Sequence, residues 1–147
     1  MRGLIQRVSQ ASVSVAGECV GRIDQGLVLL LGVERDDTRE QADKLLHKLL
    51  HYRVFADADD KMNLNVGEVN GGVLAISQFT LAADTRKGLR PGFSGAATPA
   101  LAQELYDHFV AELNARHPRV ATGIFAANMQ VSLTNDGPVT FLLEARA

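Results

Sequence analysis

The chain has 147 residues, with 15 Lys and Arg against 17 Asp and Glu, a net charge of −2 with histidine neutral. Hydrophobic residues make up 46% and charged residues 22%, which supports a single domain over 1–147 and argues against disorder. The charge balance excludes a uniformly basic nucleic-acid coat, but a local basic patch remains compatible with RNA binding. In chain order, Ser12-Val13-Ser14-Val15 alternates polar and apolar residues and predicts a half-buried strand. Ala16-Gly17 turns into a second strand over 18–23, and Asp24-Gln25-Gly26 turns again. Leu27-Val28-Leu29-Leu30-Leu31 is a continuous apolar run and predicts a strand covered on both faces. Thr38 and Gln41 match a capping box, and Ala42, Leu45, Leu46, Leu49 and Leu50 follow at helical spacing. A helix ending near Tyr52 is therefore expected to pack one stripe against a sheet. Residues 62–66 alternate as a short strand, and Asn70-Gly71-Gly72 turns into a buried strand at 73–76. The pattern dissolves over 82–97 into a polar, glycine-containing loop. Thr98-Pro99 opens a second helix with Leu101, Leu105, Phe109 and Leu113 as its stripe, ended by His117-Pro118. Met129, Val131 and Leu133 then share a strand face, as do Val139, Phe141 and Leu143, with Asn135-Asp136-Gly137-Pro138 reading as a hairpin between them. Pro138 spoils its simplest form, since it has no N–H for the ladder, and the default for its peptide bond is trans. About seven strands with two inserted helices predict an α+β fold, a largely antiparallel sheet or open β-barrel with two packed helices.

The single cysteine, Cys19, excludes an internal disulfide and fits a reducing compartment. Residues 1–7 lack the apolar core of a signal peptide, and the longest strongly apolar run falls far short of the ~20 residues of a membrane span. A cytoplasmic protein with no membrane partner is expected. The sequence contains no Walker phosphate loop, Gly-x-Gly-x-x-Gly or Gly-x-Ser-x-Gly element. His47 and His51 stand four residues apart, but Lys48 replaces the glutamate of a zinc protease and both lie off the apolar stripe. They read as a solvated helix face, and no metal or cofactor is expected. Asp57, Asp59 and Asp60 are too few for a calcium loop and read as a polar turn.

Two segments carry more chemistry. Ser77-Gln78-Phe79-Thr80-Leu81 places two hydroxyls and an amide at a strand end before a long loop; it reads either as an active-site edge or as a strand end satisfying its own backbone. Arg86, Lys87 and Arg90 lie within eight residues of Phe93 and suit phosphates and a stacked base, or a solvated loop with a tucked ring.

Taken together, these segments resemble the D-aminoacyl-tRNA deacylases, first known as D-tyrosyl-tRNA deacylases. The resemblance runs nearly end to end, through Met1-Arg2, Leu4-Ile5-Gln6-Arg7-Val8, Tyr52-Arg53-Val54-Phe55, Lys61-Met62-Asn63-Leu64-Asn65, Ser77-Gln78-Phe79-Thr80-Leu81, Met129-Gln130-Val131 and Asn135-Asp136-Gly137-Pro138-Val139-Thr140. It implies a homodimer that hydrolyses the ester between a D-amino acid and the 3′ end of tRNA, and admits glycine mischarged on tRNA. It implies catalytic roles for Ser77, Gln78, Phe79 and Thr80 around the terminal adenosine. Gly137 and Pro138 would form a cis pair that reaches into the partner subunit's pocket, with Arg7 holding it and Met129 at the substrate. Arg86, Lys87, Arg90 and Phe93 would meet the RNA. The family commonly has serine where this chain has Gly92, which removes a hydroxyl there and leaves the cations and ring.

Thr80 is the nucleophile suggested by residue type, but a threonine hydroxyl needs a base, and none is adjacent in sequence. The resemblance implies another route, in which the substrate's 2′-hydroxyl activates water and backbone N–H groups near Phe79 and Thr80 bind the oxyanion. Three rivals are a small-molecule esterase using Thr80 or Ser77, a non-catalytic RNA 3′-end-binding dimer, and a metalloenzyme on His47 and His51.

Overall fold

The computed structural model describes residues 1–146. Strand β1 (Arg2–Val15) is the spine of the main sheet. One of its edges is shared by two antiparallel neighbours: β3 (Gly26–Gly32) lies against residues 2–8 and β2 (Glu18–Ile23) against residues 11–15. Its other edge pairs antiparallel with the long strand β8 (Met129–Glu144). β6 (Gly72–Ser77) lies parallel to β3, and β7 (Val120–Thr122) parallel to β6. A short hairpin of β4 (Phe55–Ala56) and β5 (Met62–Leu64) stands apart. Antiparallel pairings therefore dominate, as expected. The two parallel ones each follow a helix, because a parallel partner can be reached only through a crossover.

Helix α1 (Arg39–His51) starts where its capping box predicts. The Thr38 N–H donates to Gln41 Oε1 at 2.7 Å, and the Glu40 N–H donates to Thr38 Oγ1 at 3.3 Å. Helix α2 (Pro99–Arg116) starts with the Leu101 N–H donating to Thr98 Oγ1 at 3.3 Å, beside the N-terminal proline. Both helices lie on one face of the sheet, where Leu45, Leu46 and Leu49 meet Leu105, Phe109 and Leu113 over Leu27, Leu29 and Leu31. The opposite face of the same strands buries Val28, Leu74 and Ile76 with Val8, Ala11, Val13 and Ile23 inside the curl of the sheet. The apolar run at 27–31 is thus covered on both sides, as predicted.

Two readings need correction. The first half of β1 escaped the strand pattern because its burial is not of period two: Ile5 faces the helices, whereas Val8 and Val13 both face the inner cluster across a register shift. The second concerns 135–138. The chain does not reverse there, so it is no hairpin. Residues on both sides pair with the same strand in the same direction, Thr140 with Gln6 and Asn135 with Val8, and the residues between bulge outward. Pro138 cannot donate to a ladder, so the extrusion keeps an unpairable residue out of the sheet.

Candidate active site

β6 ends at Ser77, where the Gln78 N–H donates to Leu31 O at 2.8 Å and carries the chain off the sheet. The next residues, Phe79–Ala82, wind into a single 3-10 turn. The first N–H groups of such a turn have no carbonyl behind them to bind, so those of Phe79 and Thr80 are donors open to a ligand oxygen. The Gln78 side-chain amide donates to Thr80 Oγ1 at 3.1 Å and fixes that hydroxyl.

A cavity of about 660 Å³ opens over this strand end. It brings together Ser77, Gln78, Phe79, Thr80, Phe93 and Met129, which the sequence offers as site residues. The Phe79 and Phe93 rings stand 5.3 Å apart, tilted, with 62% and 40% of their residue surfaces exposed. Two large apolar rings left open to water at the mouth of a cavity suit a flat ligand. The rest of the wall is mostly alanine, proline and apolar residues from the start of α2 and from 125–131. The lining contains no Asp, Glu, His, Cys, Lys or Arg. Phe125, Ala126 and Ala127 had no signal in the sequence: they lie in an aperiodic segment, and only the fold brings them to the wall. Ala126 sits at φ +63°, a turn conformation that alanine seldom adopts.

The basic loop lies beside this cavity, outside it. Asp84 and Gly92 exchange backbone hydrogen bonds at 2.7 and 3.0 Å and close the loop at its neck. Arg86 is gripped by Asp84 through two contacts of 2.9 Å, Nε to Oδ1 and one terminal nitrogen to Oδ2. These hydrogen bonds, with one from the Arg86 N–H, hold the Asp84 carboxyl far below the usual carboxylate range. Lys87 and Arg90 project from the tip of the loop around Leu89, which is fully exposed. Phe93 alone of the four proposed RNA contacts lines the cavity.

Arg7, Gly137 and Pro138 lie elsewhere. Arg7 Nε donates to Asp136 O at 2.9 Å and a terminal nitrogen donates to Val54 O at 2.6 Å, tying the bulge to the segment before β4. Asn135 braces it from inside, accepting from the Val139 N–H at 2.6 Å. The Gly137-Pro138 peptide is cis, and Gly137 sits at φ +144°, where a Cβ would come within 2.6 Å of Val139 Cγ2. β1 pairs Val13 with Val131, the wall residue nearest the bulge on β8, and Val8 with Asn135, so the bulge begins five residues along the strand from the cavity wall. At the rise of an antiparallel strand that is roughly 17 Å. A chain therefore does not present its own bulge to its own cavity.

His47 and His51 stack at 4.2 Å on the outer face of α1, and His51 Nδ1 is bound to His47 O at 2.8 Å. Asp57 Oδ1 accepts from the N–H groups of Asp59 and Lys61, a polar turn as expected. Among the described residues no cluster of three His, Cys, Asp or Glu side chains is placed to hold a metal. No helix there is long and apolar enough to cross a membrane.

The pattern of the family described as D-Tyr-tRNA(Tyr) deacylase matches residues 4–144. A protein of Cellvibrio japonicus (strain Ueda107) named D-aminoacyl-tRNA deacylase is 67% identical over 98% of this chain and 99% of its own length. One of Pseudomonas putida (strain GB-1) with the same name is 64% identical over the same shares. Among solved structures, the c-Myc DNA Unwinding Element Binding Protein superimposes with a TM-score of 0.96 at 37% identity, covering 100% of both chains.

Proposed function

Because the chain belongs to the D-Tyr-tRNA(Tyr) deacylase family and is an ester hydrolase, we propose that it cleaves the ester joining a D-amino acid to the 3′ end of tRNA and spares the L-aminoacyl ester. The terminal nucleoside enters the aromatic cavity, where Phe79 and Phe93 offer ring faces. Water adds to the ester carbonyl, and the neighbouring ribose 2′-hydroxyl activates it. The Phe79 and Thr80 N–H groups bind the developing oxyanion. The bond to the 3′ oxygen then breaks, that oxygen takes a proton, and free amino acid and tRNA leave.

The observation that carries this route is the chemistry of the lining. A cavity whose walls hold two hydroxyls, an amide and no acid, base or thiol cannot activate Thr80 by the usual means. An aminoacyl ester with an adjacent hydroxyl brings its own activating group, so position and backbone donors suffice. The same lining weighs against a small-molecule esterase acting through Thr80 or Ser77.

Chirality is read by exclusion. Both enantiomers carry the same groups, so attraction alone discriminates poorly, whereas rigid backbone where an L side chain must go penalises it steeply. Gly137 and Pro138 supply that wedge from a second copy of the chain, because their own cavity lies far along the strand. Glycine has no side chain to clash, so glycine mischarged on tRNA is accepted too. The outer edge of β8 supports a homodimer: it carries half-exposed Val131, Phe141 and Leu142 on a 16-residue strand, an edge that a second copy would protect. Charged tRNA is a cytoplasmic substrate, and we place the enzyme there.

The test is release of amino acid from D-tyrosyl-tRNA and L-tyrosyl-tRNA side by side. Rapid release from the D ester with the L ester intact is expected. Equal release from both removes the chiral reading, and binding without hydrolysis leaves only an RNA-end module.

A further inference from the structure

Behind the aromatic cavity lies a second depression, a groove of about 440 Å³ lined by Arg2, Glu34, Arg35, Asp84, Arg86 and Arg146. The two share their walls. Along the turn after β6, Phe79 and Thr80 face the cavity while Ala82 and Ala83 line the groove. Along the return of the loop, Phe93, Ala96 and Ala97 face the cavity while Ser94 and Gly95 line the groove. A ligand leaving the cavity over either wall thus meets the groove next.

The groove holds four guanidinium groups against two carboxylates. Asp84 is committed to Arg86. Glu34 serves the Met1 ammonium at 3.0 Å, and only then Arg2 and Arg146, at 3.7 and 3.8 Å. Arg2 Nε is buried without a hydrogen-bond partner. Arg35 has a side chain 66% exposed, contacts Asp36 at 3.7 Å and reaches Ser94 O at 3.4 Å. Arg146, 57% exposed, is held by Glu144 at 3.3 Å. Within the lining cations outnumber anions four to two, and Asp36 and Glu144 meet Arg35 and Arg146 from outside it. Arg86 has the most exposed side chain but is held at two points by Asp84; Arg35 and Arg146, next in exposure, come from outside the basic loop.

We infer that this groove is a phosphate-binding track for the RNA strand that leads to the terminal nucleoside, with Arg35 and Arg146 as its accessible cations and Arg86 at its rim. This rests on the deacylase reading and extends it: the cavity takes the nucleoside and ester, and the groove takes the phosphodiesters behind them. Guanidinium groups suit this because they give two donors to a phosphate at once. Phosphate contacts fix register without reading sequence, which fits an enzyme that must accept many tRNAs.

The test compares kcat/KM for D-tyrosyl-tRNA with that for D-tyrosyl-adenosine, which has the ester and nucleoside but no phosphate. In Arg35→Ala the ratio of the two should fall on the order of fivefold, the scale of one exposed charge pair, and further in Arg35→Glu. The salt dependence of kcat/KM on the tRNA substrate should lose about one unit of slope. Arg22→Ala removes an equally exposed arginine at the Gly72 end of β6 and should leave the ratio at its wild-type value. An Arg35 variant with an unchanged ratio and slope overturns the track, and so does an Arg22 variant that loses as much, since then only the overall field matters. Wild-type protein that cleaves D-tyrosyl-adenosine keeps the deacylase reading standing in either case; wild type that cleaves neither ester overturns both.

Discussion

Thr80 has the residue type of a nucleophile, and under the proposed route it does not act as one. Its hydroxyl accepts from the Gln78 amide at 3.1 Å, and no base lines the cavity to take its proton. Its contribution is then that of one positioned hydroxyl and one backbone donor, and only the hydroxyl disappears on substitution. Thr80→Ala should lower kcat on D-tyrosyl-tRNA by no more than about tenfold, the scale of one hydrogen bond. A loss approaching the ~10⁶-fold that follows removal of a true triad nucleophile would restore Thr80 to that role. At this scale much of the site could be read in the chain. Ser77, Gln78 and Thr80 announce themselves as polar groups ending an apolar strand, and Phe93 as a ring in a loop. The grip of Asp84 on Arg86 was less visible: a carboxylate two residues before an arginine is common, and only the loop's closed neck turns it into a two-point contact. The wall residues at 125–127 were invisible, because nothing local distinguishes an alanine that lines a cavity from one that does not.

At the scale of elements, the parts with strong local grammar appear where their sequences place them. The capping box of α1, the Thr98-Pro99 start of α2 and the doubly covered β3 each combine a propensity with a tertiary contact that agrees with it. Misreadings fall where tertiary structure overrides period. β1 changes the face it buries partway along, and β8 continues through a four-residue extrusion that, read locally, looks like a turn. Both strands meet at the chain's start, where the Met1 ammonium is buried and bound to Glu34 at 3.0 Å, Asp37 at 2.8 Å and Ala145 O at 2.8 Å. This knot ties β1, the approach to α1 and the end of β8. Burial works against the Glu34 charge, but the hydrogen bond and charge of the ammonium, with Arg146 and Arg2, outweigh it and hold its carboxyl below the ordinary value of 4.5. A carboxylate with a depressed folded pKa stabilises the fold above its unfolded pKa and loses that contribution as pH falls through the folded one. Below about pH 5, the thermal midpoint of the wild type should therefore drop more steeply than that of Glu34→Gln. Parallel curves for the two proteins would show that Glu34 does not carry this linkage.

For the molecule as a whole, the proposed function divides one active site between two copies of the chain. Each chain has its cavity toward one end of the β1–β8 pair and its Gly137-Pro138 bulge toward the other. Nothing in composition or periodicity separates cavity from bulge; their spacing depends on how far β8 runs between Val131 and Asn135, which the register with β1 fixes. The measurement that bears on the proposed division most directly is subunit complementation. Phe79→Glu spoils the cavity mouth at a mostly exposed residue, and Gly137→Val spoils the wedge at a residue with φ +144°. Phe79→Glu alone should release little D-tyrosine from D-tyrosyl-tRNA, whereas Gly137→Val alone should cleave the L ester as well as the D ester. Co-expressed and paired at random about a two-fold axis, half of the intact cavities face an intact wedge, so the ratio of L to D release should fall to roughly half that of Gly137→Val alone. An unchanged ratio would contradict the shared site, as would a monomer that still prefers the D ester.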